Sequence, residues 1–286
     1  MKSCTRLPWT FFVVAASLFL MSSGPLVMAA EESKLDEVMK RGYVIAAVTS
    51  SYPPYGFLDD KKNLVGFDID IAKLIAKGLF DDEKKIKLEP ISYDARWAYI
   101  QTGKADFGIM TTTIYPNRIM RVDFTRPYNF YIHRILIRKD AGINTINDLN
   151  NPKYTIANLN NPQQMDRVKK YIPQVKILTV ESASQQYLAV STGRAHALQH
   201  NSMLCGYYAK QNPNLKVLNE DLGDWEAHGV FLRKGDFKWW NTLDQLVGEI
   251  ISGAYYNDYK AMVEKWFGIE PPQQYWWIGK GYFQPK

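Results

Sequence analysis

Eight residues of the sequence, TTTIYPNR (111–118), combine three hydroxyl side chains with an arginine five residues after the last of them. A run of β-branched hydroxyl residues is typical of the end of a strand, and the pair Pro116-Asn117 predicts a turn. Polar groups that gather where a strand gives way to a loop commonly bind ligands. The guanidinium of Arg118 is a rigid fork of donors suited to a carboxylate or a phosphate. The alternative is a surface arginine beside an ordinary turn.

Two histidines and two aspartates are the other side chains whose spacing could serve chemistry. His196 and His200 could share a metal ion if a helix carried both. The residues around them instead predict a strand, on which the two rings would lie about 13 Å apart at about 3.3 Å per residue, too far for one ion. Asp68 and Asp70 could form a paired-carboxylate site, but we favour a structural interpretation. In it Asp68 caps the following helix and Asp70 lies in its first turn.

The N-terminal segment has the pattern of a secretory signal peptide. Lys2 and Arg6 give it a positive start, residues 10–20 are mainly apolar, and LVMAA ends at Ala30 with small residues suited to cleavage. No later stretch approaches twenty apolar residues, the length that a membrane-spanning helix needs. We therefore expect residues 1–30 to be a signal peptide that is removed on export.

Charge and cysteine content exclude several classes of protein. Without Lys2 and Arg6, the 35 basic side chains of the sequence become 33, against 29 acidic ones, and the two signs are interspersed. This indicates a solvated mixed surface rather than a site for nucleic acid or anionic membrane. Cys4 lies too early for a lipoprotein anchor, and Cys205 is the one cysteine beyond the predicted leader, so no internal disulfide is expected.

Strands and helices alternate through the first half of the predicted mature chain. The predicted elements are a helix at 35–42, a buried strand at 43–48, an amphipathic helix at 67–79, a strand at 86–91, a helix at 95–102 and a strand at 105–110. Asp94 is expected to cap the helix that Gly103 closes. This alternation predicts an α/β lobe with a mainly parallel sheet.

The second half repeats the same order of elements. Strands are predicted at 154–159 and 175–180, with a turn and helix between them, and Ser182 with Gln185 predicts a capping box at the start of the next helix. GRAHALQH (193–200) also echoes GKADFGIM (103–110). Two lobes built alike are the simplest interpretation.

Two β-rich segments are expected to connect these lobes. They are FTRPYNFYIHRILIRKD (124–140) and DWEAHGVFLRKGD (224–236). The helices predicted around 241–252 and 259–267 would then return to the first lobe. Two crossings form a hinge, and a hinge between two lobes creates a cleft.

GFDIDIAKLIAKGL (66–79) resembles the signature of the periplasmic solute-binding proteins for polar amino acids, solute-binding family 3, the soluble receptors of ABC importers. The resemblance covers nearly the whole predicted mature chain, through YVIAAVTSSYPPYGF (43–57), GKADFGIMTTTIYPNR (103–118) and GVFLRKGD (229–236). It implies an α/β fold of the type II periplasmic binding protein class, with two lobes, two hinge strands and the ligand in the cleft between them.

The lobe limits that follow are also expectations. We expect residues 31–128 and 229–286 to form a discontinuous first lobe and residues 134–222 to form the second. The hinge crossings are expected near 129–133 and 223–228.

The resemblance also assigns roles to individual residues. Arg118 falls where the family keeps the arginine that grips the α-carboxylate of the ligand. Thr111 and Thr113 fall where a backbone amide or a hydroxyl supports that carboxylate. Tyr52 and Tyr93 match aromatic positions that sandwich the ligand from one lobe.

The sequence departs from the family pattern where the second lobe would meet the ligand. Gln163 and Gln164 stand at a helix start where the family usually has small hydroxyl residues. His200 stands where the family usually has the aspartate that neutralises the α-ammonium, and Thr49 occupies another common acidic position. Either Glu226 substitutes for the missing acid, or the ligand lacks a free ammonium, in which case His200 is expected to donate a hydrogen bond to a second ligand oxygen. The alternative is that His200 is a core or hinge histidine.

The resemblance therefore implies a periplasmic receptor of an ABC importer that captures a small carboxylate ligand, an amino acid or a related derivative or organic acid, by hinge closure. Two alternatives are a cyclohexadienyl (prephenate or arogenate) dehydratase on the same scaffold and a periplasmic ligand sensor. Dehydration needs a general acid, and Gln163 and Gln164 cannot titrate.

The sequence has no nucleophile elbow, HExxH, phosphate loop or CxxC motif. We expect no catalytic residue, no metal and no cofactor. The expected partners are the small ligand and an inner-membrane ABC permease, with no nucleic acid, and the protein is expected to be a monomer. Trp276 and Trp277 are expected to fix the C-terminal tail to a lobe.

Overall fold

The computed structural model of the protein describes residues 32–269 and residue 271. The predicted signal peptide, residues 1–30, and the tryptophans Trp276 and Trp277 lie outside the described residues. Within the described part of the chain, no helix combines the length and the apolar character that crossing a membrane would require.

Strands and helices alternate along the described residues much as the sequence predicts. The strands are β1 Val44–Val48, β2 Ser51–Tyr52, β3 Gly56–Leu58, β4 Leu64–Val65, β5 Ile86–Pro90, β6 Phe107–Gly108, β7 Asp123–Tyr131, β8 His133–Arg138, β9 Thr155–Leu159, β10 Lys176–Val180, β11 Ala197–Asn201, β12 Leu215–Val217 and β13 Glu226–Leu232. The helices are α1 Lys34–Arg41, α2 Phe67–Phe80, α3 Arg96–Gln101, α4 Pro116–Ile119, α5 Ile146–Leu149, α6 Pro162–Tyr171, α7 Ala183–Ser191, α8 Ser202–Gln211, α9 Phe237–Ser252 and α10 Tyr256–Phe267.

Two five-stranded sheets organise these elements. The first sheet has the order β5-β1-β6-β13-β7, and the second has the order β10-β9-β11-β8-β12. In each sheet the first three strands of this order pair in parallel. The fourth strand pairs antiparallel with both of its neighbours. Strands β2, β3 and β4 form a small antiparallel sheet. We call the parts built on the first and second sheets the first and second lobes, and the predicted α/β two-lobed fold is confirmed.

The chain passes between the two sheets at neighbouring points. Only Ile132 separates β7 in the first sheet from β8 in the second. The return connection follows β12 and enters β13, where Glu226 pairs with Tyr131 across an antiparallel ladder. The two crossings therefore run side by side, which is the arrangement that a hinge requires.

The C-terminal helices return to the first lobe. Helix α9 packs against β7 and α2, and α10 packs against α2 and α9. Helix α10 also contacts α8 of the second lobe. The sequence predicts the return to the first lobe but not this contact with α8.

A tight turn at Gly66 fixes the start of α2 against the loop after β2. Gly66 has φ 138°, and a Cβ atom there would lie 2.2 Å from the carbonyl oxygen of Tyr55. The amides of Phe67 and Asp68 donate to the carbonyls of Pro54 and Tyr55 at 2.9 and 2.8 Å. Any side chain at Gly66 would therefore disrupt these two hydrogen bonds between the loop after β2 and helix α2.

Two local predictions are wrong. Asp94 does not cap α3, because the helix begins two residues later and Ala95 takes the N-cap position without a side-chain bond. Pro116 and Asn117 do not form an isolated turn, because they open the one-turn helix α4, in which Pro116 occupies the first position.

Candidate functional site

A cavity of about 700 Å³ lies between the two lobes. Residues from both sheets and from the helix starts facing them line it. The lining residues are Thr49, Ser51, Tyr52, Ile91, Ser92, Tyr93, Asp94, Arg96, Thr111, Thr112, Thr113, Tyr115, Arg118, Tyr131, His133, Leu159, Asn160, Asn161, Gln163, Gln164, Arg167, Glu181, Ser182, Ala183, His200, Asn201 and His228. Every site residue predicted from the sequence is among them except Glu226, which lies behind the lining.

Arg118 faces this cavity from the short helix α4. Its Nη1 donates to the carbonyl oxygen of Thr113 at 2.9 Å, and its guanidinium carbon lies 4.7 Å from the centre of the Tyr115 ring. Burial lowers the pKa of Arg118 from its ordinary value. Among the described residues, no carboxylate forms an ion pair with it. A half-buried guanidinium without an ion-pair partner is suited to an anionic ligand.

The polar groups of Thr111 and Thr113 already have protein partners. The Thr111 amide donates to the Asp68 carboxylate at 2.8 Å, and its hydroxyl bonds to the Tyr93 hydroxyl. The Thr113 hydroxyl lies 2.6 Å from the Tyr131 hydroxyl. These bonds hold the loop after β6 in one shape.

Asp68 is therefore not the helix cap that the sequence predicts. The N-cap position of α2 belongs to Gly66, and Asp68 is fully buried in the first turn. Its carboxylate accepts from the Thr111 amide and, at 2.9 Å, from the Tyr128 hydroxyl. Burial raises the pKa of Asp68 to about 7, against the opposing effect of these two bonds. Asp70 does lie in the first turn as predicted, where it accepts from the indole of Trp266 at 2.8 Å.

The raised pKa of Asp68 predicts a specific pH dependence of stability. A carboxyl whose folded pKa exceeds its unfolded value adds stability below the unfolded pKa and loses that contribution as the pH rises through the folded one. Between pH 5 and pH 8, we expect the free energy of unfolding of the wild type to fall by about 3 kcal/mol relative to Asp68→Asn. Urea denaturation at both pH values measures the difference, with Asp60→Asn at an exposed site as the control. Parallel pH profiles of the wild type and Asp68→Asn would contradict this prediction.

Tyr52, Tyr93 and His200 form an aromatic wall that joins the two lobes. The Tyr52 ring centre lies 5.9 Å from that of Tyr93 and 5.4 Å from that of His200. The His200 Nδ1 accepts from the Asn201 amide at 2.7 Å, so we infer that the proton of the neutral ring is on Nε2, which donates to the Tyr52 hydroxyl at 2.5 Å. Burial lowers the pKa of His200 well below its usual range.

The predicted hydrogen bond from His200 to a ligand oxygen therefore has no free donor in this arrangement. The ring N–H is used by Tyr52. The neighbouring lining residue Asn201 is also uncharged, and its Oδ1 accepts from the Leu204 amide at 2.8 Å, as the N-cap of α8. Neither residue supplies a negative charge.

Gln163 and Gln164 lie in the first turn of α6, as predicted. Asn161 caps this helix by accepting from the Gln164 amide at 2.9 Å, and Pro162 follows at the first helical position. Gln164 is buried, and its Oε1 has no hydrogen-bond partner among the described residues. The second lobe therefore presents amide groups to the cavity.

Neither of the two positions considered for a ligand ammonium offers a free carboxylate. Thr49 lines the cavity but is uncharged and buried. Glu226 accepts from the hydroxyls of Tyr115 and Tyr131 at 2.6 and 2.8 Å and forms an ion pair with Arg167. Burial opposes ionisation, but hydrogen bonds and nearby positive charge outweigh it and lower the pKa of Glu226 to about 2.

Two arginines that the sequence analysis did not single out also line the cavity. Arg96 opens α3, and Arg167 faces the cavity one helical turn after Gln163. The spacing of four residues from Gln163 to Arg167 is a signal that could have predicted the second of these, because such residues share a helix face. Arg96 lies in SYDARW (92–97), and no spacing in this segment predicts that its side chain faces a ligand.

The histidines of the cavity add no positive charge near neutral pH. Burial lowers the pKa of His228 to about 3 and also lowers the pKa of His133. His196 precedes β11 rather than lying on it, and its Nδ1 accepts from the Thr155 amide at 3.1 Å. No group of three or more His, Cys, Asp or Glu side chains able to hold a metal occurs in the described part of the chain.

Comparison with known proteins agrees with this geometry. The sequence profile of the bacterial extracellular solute-binding proteins, family 3, matches residues 44–269. The chain belongs to this family.

Relatives within this solute-binding family cover most of the chain. A glutamine-binding protein of Geobacillus stearothermophilus is 32% identical over 203 residues, which are 71% of this chain and 77% of the relative. The L-cystine-binding protein TcyJ of Escherichia coli (strain K12) is 26% identical over 244 residues, which are 84% of this chain and 88% of the relative.

The solved structure of AncCDT-1 is also similar to this chain. It is an ancestral amino acid-binding protein described as a precursor of cyclohexadienyl dehydratase, with a TM-score of 0.73 and 33% identity over 82% of this chain and 100% of that one. A second solved structure of AncCDT-1 is that of an ancestral cationic amino acid solute-binding protein. These relatives and AncCDT-1 are binding proteins rather than enzymes.

Proposed function

We propose that the protein is a periplasmic receptor of an ABC importer that captures a small carboxylate ligand in the interlobe cavity. The observation that carries the proposal is the guanidinium of Arg118, which lines the cavity without a carboxylate partner among the described residues. The names of the relatives support a ligand of amino-acid size, because they bind glutamine and cystine.

Capture would proceed by closure of the two lobes about the crossings. The first lobe offers Tyr52, Tyr93 and Arg118, and the second offers Gln163 and His200. A ligand held by the first lobe would be covered as the second approaches. Closure excludes water, which strengthens the charge-assisted hydrogen bonds to Arg118.

The ligand is expected not to require a free ammonium. Thr49, His200 and Asn201 are uncharged, and Glu226 already neutralises Arg167. The acids that line the cavity, Asp94 and Glu181, have exposed side chains, so an ammonium buried away from them would lack a counter-charge, which is costly. A hydroxy acid, a keto acid, a dicarboxylate or an acylated amino acid fits these residues better than a simple amino acid.

A thermal-shift screen tests the proposal. Amino acids would be compared with their matched hydroxy and keto acids, because a ligand at a hundred times its dissociation constant adds about 2.7 kcal/mol of stability. We expect deaminated acids to raise the melting temperature at least as much as the amino acids. If plain α-amino acids raise it and their deaminated analogues do not, an acid for the ammonium exists in the cavity and our account of His200 fails.

For the dehydratase alternative, no acid among the described residues is both buried enough to stay protonated near neutral pH and placed to reach a ligand. Among the cavity residues Asp94 and Glu181 are exposed, and Glu226 is an ionised partner of Arg167. Asp68 has a suitable pKa of about 7 but is fully buried behind Thr111. Formation of phenylpyruvate from prephenate by the purified protein would overturn this assessment.

The cellular location, oligomeric state and membrane partner of the receptor are part of the same proposal. We also propose export through a cleaved signal peptide, a monomeric state and an inner-membrane permease as partner; the pattern of residues 1–30 supports the first, and family membership supports the permease. A ligand sensor would use the same cavity and the same closure. Uptake of labelled ligand, compared between cells that have the gene and cells that lack it, separates transport from sensing. Loss of uptake without the gene indicates transport.

A further inference from the structure

We propose that the cavity binds a ligand with two acidic groups, the first held by Arg118 and the second by Arg96. This inference rests on the proposed function, because it identifies the class of carboxylate that the receptor would capture. The second group is expected to be a carboxylate, so the ligand class is a small dicarboxylate.

Arg96 reaches the cavity from the first turn of α3. Its Nη1 donates to the carbonyl oxygen of Tyr93 at 2.5 Å, and its guanidinium carbon lies 4.4 Å from the centre of the Trp97 ring. Its Nε is buried and has no hydrogen-bond partner among the described residues. The guanidinium is thus fixed in place by one hydrogen bond and two aromatic rings, those of Tyr93 and Trp97, and it has further N–H donors available.

Arg96 and Arg118 approach the same wall of the cavity. Arg96 bonds to the backbone of Tyr93, whose hydroxyl contacts Thr111 in the loop that leads to Arg118. Burial, followed by the positive charge of Arg118, lowers the pKa of Arg96 to about 10. Two partly desolvated like charges close enough to affect each other are unfavourable unless an anion lies between or beside them.

The other charges near the cavity offset this pair only in part, since Glu226 acts on Arg118 and Asp94 acts on Arg96 without forming an ion pair with it. Glu226 is engaged by Arg167, and the remaining lining acids, Asp94 and Glu181, have exposed side chains. No ion pair joins either of them to Arg96 or Arg118 among the described residues.

The net charge that a ligand brings to the two guanidiniums distinguishes the possible ligand classes. A zwitterionic amino acid brings no net charge to the two guanidiniums, and a cationic amino acid adds to their repulsion. A monocarboxylate neutralises one of them, whereas a dicarboxylate neutralises both. This cavity therefore differs from one suited to the cationic amino acids named for AncCDT-1.

The competing interpretation is that Arg96 is a structural residue. Stacking on Trp97 and the bond to Tyr93 would then be its whole role, and a monocarboxylate on Arg118 would satisfy the cavity. The two interpretations differ in whether Arg96 affects a ligand's second acidic group.

Isothermal titration with matched pairs distinguishes them. The probes are succinate with succinamate, glutarate with glutaramate, and L-glutamate with L-glutamine, each pair differing in one carboxylate that becomes a neutral amide. We expect at least one diacid to bind the wild type about 10-fold or more tighter than its monoamide, since charge-assisted bonds are about twice as strong as neutral ones.

Substitution of Arg96 assigns that preference to a residue. In Arg96→Gln, we expect the ratio of diacid to monoamide affinity to fall to about one, while the monoamide affinity changes by less than about threefold. Arg96→Lys is expected to restore part of the ratio because it keeps the charge. Arg121→Gln, at an exposed arginine, is the matched control, and circular dichroism melting confirms that each variant is folded.

Each outcome decides between the interpretations. Monoamides that bind the wild type as tightly as diacids overturn this inference and leave the proposed function standing, as does an Arg96→Gln variant that weakens both members of a pair equally. Failure of the wild type to bind any of the six acids overturns this inference alone if the thermal-shift screen finds another carboxylate ligand, and it overturns both if that screen finds none.

Discussion

Replacing Arg118 with alanine is expected to weaken binding of any carboxylate ligand by at least about 30-fold, because truncating one partner of a desolvated, hydrogen-bonded charge pair costs about 2–5 kcal/mol. The guanidinium is half-buried in the interlobe cavity, where burial lowers its pKa and no described carboxylate pairs with it. Its charge is therefore available for the ligand rather than for the fold.

The fold itself should tolerate this change. Arg118→Ala removes one bond to the carbonyl oxygen of Thr113 and one stacking contact with Tyr115, and it relieves the repulsion that Arg96 experiences. We expect the free energy of unfolding to change by no more than about 1 kcal/mol. Arg121→Ala, three residues away at an exposed site, should bind ligand as the wild type does.

Titration calorimetry with the acid that gives the largest shift in the thermal screen measures this effect. Arg118→Lys is a useful intermediate, because it keeps the charge and loses the fork of donors. Wild-type affinity in a folded Arg118→Ala variant would remove the central assignment of the proposed function.

Replacing Glu226 with glutamine is expected to be the most destabilising of the substitutions considered. The carboxylate pairs with Arg167, accepts from Tyr115 and Tyr131, and lies 3.3 Å from the Nε2 atom of His133. Glutamine would leave the mostly buried Arg167 without its counter-charge. Breaking one partner of a buried ion pair costs about 3–5 kcal/mol, and the remaining exposure of this pair reduces the expected loss to about 2–3 kcal/mol.

The pH dependence of this effect has a definite sign. The folded pKa of Glu226 is about 2, below its unfolded value, so its ionised form stabilises the fold above about pH 4.5. That contribution is lost as the pH falls from about 4.5 toward 2. The difference in the free energy of unfolding between the wild type and Glu226→Gln should therefore be largest near neutral pH and shrink on acidification.

Urea denaturation at pH 7 and pH 4 measures the difference, with Glu83→Gln at an exposed position as the control. The double variant Glu226→Gln, Arg167→Leu should recover part of the loss, because it removes the unpaired charge as well. A Glu226→Gln protein as stable as the wild type at both pH values would show that the cluster around Glu226 carries no net stabilisation.

The order of elements is encoded locally, which is why the sequence predicts it. Helix α1 runs from the cap at Ser33 to Gly42, whose φ of 80° suits glycine, and the apolar spacing of residues 67–79 matches α2. The helix start at Pro162 is also read directly from its neighbours. Lobe limits at 31–128, 134–222 and 229–286 remain predictions of the same kind.

Other features depend on what the sequence cannot show, namely which distant residue faces a given side chain. Asp68 looks like a helix cap in the sequence, but the fold buries it against Thr111 and Tyr128, 43 and 60 residues away. Asp94 has the residue type of a cap, but the helix begins at Arg96, one residue too late for Asp94 to be its N-cap.

The sequence by itself determined the α/β class, the two lobes with their crossings, and the arginine at position 118 that faces the cavity. Only the tertiary structure decided which charges in that cavity remain unpaired. In the sequence Glu226 could serve as a ligand partner, but in the fold it pairs with Arg167, and Arg96 lines the same cavity as Arg118. Local patterns depend on neighbours along the chain, whereas the charge balance of a cleft depends on residues that meet only when two lobes fold together.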